Sequence, residues 1–82
     1  MMKIKISLYY HLKEKVGTGN LDIEVANFST IKDLKHQLES IYPSLRTHLD
    51  NVMMLMNGKI VLDEDKLKEN ANVSFLTPVG GG

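Results

Sequence analysis

Eighty-two residues set the scale of one small domain, and 43% apolar content is enough for a packed core and too much for a disordered chain. Ten Lys/Arg balance ten Asp/Glu, which leaves no basic footprint for nucleic acid. There is no cysteine, which removes disulfides, thiolate metal sites and thiol chemistry.

Lys3 and Lys5 interrupt the N-terminus, and no apolar run reaches the ~18 residues of a membrane span. Neither a secretory signal nor a membrane segment is expected, and the location expected is cytoplasmic. Lys3–Tyr10 alternates, with Ile4, Ile6, Leu8 and Tyr10 on one face and Lys3, Lys5, Ser7 and Tyr9 on the other. That is the period of a half-buried strand. His11–Val16 has room for one or two helical turns, and Gly17-Thr18-Gly19-Asn20 reads as a turn. Leu21–Val25 alternates again, so the first two strands form a hairpin-like pair.

Thr30 is placed to cap a helix, with Asp33 three residues on completing a capping box. Ile31, Leu34, Leu38, Ile41 and Leu45 fall at steps of three and four and predict one buried stripe, with Lys32, Lys35, Gln37 and Glu39 toward water. Pro43 disfavours helix at Tyr42 and ends it there. Val52–Met56 and Lys59–Leu62 flank Asn57-Gly58, a strong hairpin signal. Asp63-Glu64-Asp65 reads as a solvated turn, Leu67 as an anchor to the core, and Val73–Leu76 as a last strand that Pro78 terminates. One helical stripe and one sheet face predict a two-layer α+β domain over residues 1–76.

Residues 77–82 are set apart as a flexible tail. Gly80-Gly81-Gly82 brings no side chain to a core and costs the most backbone entropy to order. Thr77 to Gly82 reaches ~20 Å when extended at about 3.3–3.6 Å per residue. Such a strand passes through a slot that would stop any Cβ, and delivers one reactive group, the α-carboxylate of Gly82.

The body offers little chemistry. His11, His36 and His48 lie on three separate segments without metal spacing, so no metal site is expected. No phosphate loop or nucleophile elbow is present, and catalysis by the chain alone is not expected. The alternation instead sets Met53 and Leu55 opposite the core-facing Val52, Met54 and Met56. Leu76 and Tyr9 fall on the same open face, and an apolar patch of this kind marks a partner site.

The order strand, strand, helix, hairpin, strand, with a diglycine end, resembles the ubiquitin-like β-grasp proteins. Within them the chain is similar to the MoaD/ThiS family of sulfur carriers, and most of all to its molybdopterin branch. The residues that carry the likeness are Glu14-Lys15-Val16-Gly17-Thr18, Phe28-Ser29-Thr30-Ile31-Lys32-Asp33-Leu34, Met56-Asn57-Gly58-Lys59 and the run from Val73 to Gly82. The family ending resembles Phe-aromatic-Pro-Pro-Val-x-Gly-Gly. Here Leu76 replaces the second aromatic, Thr77 the first proline, and Gly80 takes the variable place.

The resemblance implies a mixed sheet of four to five strands with one main helix on one face. The first and last strands would lie at its centre, with Tyr9, Leu76 and Leu55 side by side. It implies that Gly82 is adenylated by a ubiquitin-activating-type adenylyltransferase using ATP and magnesium, then converted by a sulfur donor to a thiocarboxylate. Gly81 would give the tail access to the partner's active site. Tyr9, Met53, Leu55, Leu76, Pro78, Val79 and Gly80 would meet the large subunit of molybdopterin synthase in a heterotetramer. This chain itself would bind no cofactor. A thiamine-pathway carrier and a protein modifier joined through Gly82 to lysines share the activation step and stay open, as does an interaction domain that uses only its sheet face.

Overall fold

A computed structural model describes residues 1–77. The elements in order are β1 (Met2–Leu8), α1 (Tyr10–Val16), β2 (Asn20–Val25), α2 (Ile31–Ile41), a 3-10 turn (Pro43–Leu45), β3 (Met53–Met56), β4 (Lys59–Val61) and β5 (Asn72–Leu76). The sheet order is β2-β1-β5-β3-β4. β1 and β5 run parallel at the centre, with Leu8 beside Phe75, and every other pairing is antiparallel. This is the mixed β-grasp sheet that the resemblance implies.

Alternation on the strands decides which face is covered. Ile4, Ile6, Leu8, Val73, Phe75, Met54 and Met56 are buried and meet Ile31, Leu34 and Leu38 of α2 in a single core cluster. Leu12 of α1, and Leu45, Leu49 and Leu67 from the connections, close its ends. α1 stops at Gly17, whose φ of 94° lets its N–H return to the Lys13 carbonyl at 2.8 Å. In the β3–β4 hairpin Asn57 and Gly58 both take left-handed φ, 52° and 84°, the requirement of a two-residue primed turn.

The start of α2 is supported twice. Thr30 and Asp33 form the expected capping box, with the Asp33 N–H donating to Thr30 Oγ1 at 3.2 Å and the Thr30 N–H donating to Asp33 Oδ2 at 2.9 Å. The acidic turn supplies the rest, accepting from the Ile31 N–H at the Asp65 carbonyl (2.9 Å) and from the Lys32 N–H at the Asp63 carbonyl (3.0 Å). Two orphan donors of the first helical turn are thereby satisfied. Lys35 reaches across to Asp63 at 2.7 Å, and the Asp65 carboxylate accepts from the Leu62 N–H at 2.7 Å. The acidic run is exposed as expected, but its backbone holds the helix and the hairpin together.

Three expectations are corrected. Tyr10 is 59% exposed rather than inward, because β1 ends at Leu8 and the chain turns through a left-handed Tyr10 (φ 53°) directly into α1. Ile41 is 50% exposed, because α2 ends there before Pro43, and Leu45 reaches the core from the 3-10 turn instead of from the helix. Lys35, Gln37 and Glu39 are half-buried. Gln37 Nε2 donates to the Glu24 carbonyl of β2 at 2.8 Å.

Candidate functional site: the open sheet face and the tail end of β5

The face of the sheet away from α2 divides into two halves. On β1 and β2 it carries Lys3, Lys5, Asp22 and Glu24, with Lys3 opposite Glu24 and Lys5 opposite Asp22. That half is polar and its charges alternate in sign. On β5, β3 and β4 it turns apolar. Ladder partners set Leu76 beside Met53, and Ser74 beside Leu55 beside Ile60. Continuing the registers by one residue brings Tyr9 next to Leu76 and Leu62 next to Met53.

Tyr9, Met53, Ile60 and Leu62 are exposed, and Leu55 and Leu76 half-buried. The Tyr9 ring lies 6.5 Å from that of Tyr10. The structure thus brings together all four body residues singled out in the sequence, Tyr9, Met53, Leu55 and Leu76. It adds Ile60 and Leu62, which sequence reasoning missed. The signal was present: the Asn57-Gly58 hairpin fixes Ile60 opposite Leu55, so one open-face residue implies the other. A contiguous exposed apolar group on one sheet face is the mark of a partner surface.

Leu76 is the last residue of β5, and Thr77 after it is half-buried. The apolar half of the face therefore adjoins the point where the chain leaves the sheet. The expectations for Pro78, Val79, Gly80, Gly81 and Gly82 concern residues outside those described. Among the described residues, no group of three or more His, Cys, Asp or Glu side chains is arranged to hold a metal ion. No helix among them is long and apolar enough to cross a membrane. The titratable group with a clear displacement is Asp33, far from this face in role. The Thr30 N–H, and after it the Thr30 hydroxyl, hold its carboxyl below the ordinary value.

The ThiS family matches residues 6–82, from the last residues of β1 through both helices and the other four strands to the glycines. The chain belongs to the ThiS family. The molybdopterin synthase sulfur carrier subunit of Mycobacterium tuberculosis is 30% identical over 83 residues, covering 100% of both chains. Among solved structures, small archaeal modifier protein 1 of Haloferax volcanii superposes with a TM-score of 0.90 at 18% identity, over 96% of this chain and 100% of that one. A chain of the complex of subunits 1 and 2 of molybdopterin-converting factor from Helicobacter pylori gives 0.73 at 22% identity, over 99% and 100%. The two structural likenesses establish the fold, a ubiquitin-like β-grasp.

Proposed function

We propose that this ThiS-family chain is the sulfur-carrying small subunit of a molybdopterin synthase. The observation that carries the reading is the family match through Gly82, joined to 30% identity over the full length of a molybdopterin synthase sulfur carrier subunit. The apolar sheet half beside the root of the tail supports it, as a surface fit to seat a larger partner. The Helicobacter pylori likeness, drawn from a complex of two subunits, supports a large subunit as that partner.

A carboxylate is a poor electrophile, because its charge is delocalised and its leaving group is bad. In the proposed cycle the Gly82 carboxylate attacks ATP on a magnesium-dependent adenylyltransferase, expelling pyrophosphate. A hydrosulfide equivalent from a sulfur donor then displaces AMP and leaves a C-terminal thiocarboxylate. With no cysteine in the chain, the sulfur rides on Gly82 itself. The tail then enters the large subunit, where the terminal sulfur attacks a carbon of a cyclic pyranopterin phosphate precursor and displaces an oxygen substituent from it. Water cleaves the resulting thioester and returns the Gly82 carboxylate. A dithiolene needs two sulfurs, hence two carriers in turn. The chain supplies a carried nucleophile, and the acid–base groups belong to the partner.

Intact mass of N-terminally tagged protein from its own host tests the reading, with lysates kept for adducts. It reads the terminal residue and the sulfur together. A population with one oxygen-to-sulfur exchange in the Gly82 peptide is expected. Linkage of Gly82 to lysines without any sulfur form would instead make the chain a modifier. Gly81→Ala adds one Cβ to the tail, and should leave thermal unfolding unchanged while sulfur transfer to the precursor falls by orders of magnitude. Undiminished transfer by that variant would refute passage through a narrow slot.

A further inference from the structure

A second surface lies away from the open sheet face, at the turn that enters α2. The Ser29 N–H closes on the Ala26 carbonyl at 3.2 Å, and Phe28, third in this turn, has φ 68°. That place in such a turn ordinarily takes Gly or Asn, since a Cβ is strained there. Phe28 is nevertheless 79% exposed, so its ring contributes little to the core in return. The Lys66 ammonium stands 5.7 Å from the ring centroid. Lys66 also lines a cleft of about 400 Å³ between β4 and the segment after it, together with Lys59, Lys68, Met56, Ile60 and Asp65. The Asp65 carboxylate is engaged by the Leu62 N–H. The ion pair found among the described residues is Lys35 with Asp63, which leaves Lys59, Lys66 and Lys68 without a carboxylate partner there.

We propose that Phe28 and the Lys59/Lys66/Lys68 cleft form a docking site for an acidic segment of a partner polypeptide that carries an apolar side chain. The three ammoniums would receive its carboxylates, and the Phe28 ring, held by Lys66, would cover its apolar group. A bulky exposed ring in left-handed backbone is the kind of local strain that binding sites retain. Charge complementarity selects the occupant: three lysines around apolar Met56 and Ile60 suit carboxylates on a peptide. The overall charge balance of the chain gives no reason to expect a nucleic acid. The site is independent of the Gly82 chemistry, and of the apolar sheet half it engages Ile60, leaving Tyr9, Met53, Leu55, Leu62 and Leu76 free.

The test is an amide NMR titration of the full chain with a short acetylated peptide of aspartate and glutamate around one leucine. Controls are the lysine-for-acid counterpart, inorganic phosphate, anionic phospholipid vesicles and single-stranded DNA. Expected are shifts at Phe28, Lys59, Lys66 and Lys68, with Leu55 and Leu76 still. Phe28→Ala, which removes the ring, and Phe28→Gly, which also removes the strain, should each weaken the acidic peptide about tenfold. K66E with K68E should abolish its binding. The proposal is overturned by shifts confined to the open face, by unchanged affinity in both Phe28 variants, or by equal competition from phosphate, vesicles or DNA.

Discussion

At the scale of single residues, two positions make opposite statements about stability. Phe28 holds a left-handed backbone without the burial that would offset it. Phe28→Gly should therefore raise the unfolding free energy by about 1 kcal/mol, read as a higher urea midpoint at unchanged slope. Asp33 works the other way. Its carboxyl is held below the ordinary value of 3.8 by hydrogen bonds from Thr30 that exist only in the fold. The stabilisation is thus fully present above that value and is lost as pH falls through the lower folded one. Urea midpoints measured at about pH 6 and about pH 2.5 should differ less in Asp33→Asn than in the parent chain. The capping box was readable from the spacing of Thr30 and Asp33. The strain at Phe28 was not, because a turn type is fixed by neighbouring backbone and Ala26-Asn27-Phe28-Ser29 has no glycine to announce it.

At the scale of elements, the periodic segments were legible and their ends were not. Period two set the correct faces of β1, β2, β3 and β5, and the steps of three and four found Ile31, Leu34 and Leu38. Tyr10, the first residue of α1, and Ile41, the last of α2, broke their patterns at the boundary of an element, where a change of chain direction overrides periodicity. The last two positions of the α2 stripe should therefore respond differently to truncation. Leu38→Ala, at a fully buried site, should cost ~2–5 kcal/mol. Ile41→Ala, half-exposed, should cost well under about 1 kcal/mol. Chemical denaturation of both variants checks the contrast, and equal losses would mean that Ile41 packs as the stripe alone predicted. The acidic turn shows what single-sequence patterns omit: its carbonyls cap a helix some thirty residues earlier in the chain, a pairing that only tertiary structure creates.

At the scale of the whole molecule, the helix covers one face of the sheet and leaves the other divided into a charged and an apolar half. The site was legible to the extent that alternation exposes it, which is why Tyr9, Met53, Leu55 and Leu76 were found together. Ile60 and Leu62 emerge only when the hairpin register is carried through. Met53→Asp should leave the unfolding free energy from urea titration within about 0.5 kcal/mol of the parent, since the side chain is half-exposed. It should weaken association with a molybdopterin synthase large subunit at least about tenfold, measured by titration calorimetry. Unchanged association would move the interface off this face.

The contacts made by Gln37 and Asp65 have a meaning beyond the elements that they join. β2 and β4 are the outermost strands, and an outer strand presents a row of unmet backbone groups to any other chain. On β2 the Glu24 carbonyl is occupied by Gln37. Past β4, both backbone groups of Leu62 are occupied by Asp65, its carboxylate taking the N–H and its own N–H reaching the Leu62 carbonyl at 3.0 Å. With β4 only three residues long, little template remains on that edge for edge-to-edge pairing or fibre growth. The edge beside the apolar half-face is thus guarded against backbone pairing with other copies, and the exposed side chains of that half stay available for other proteins.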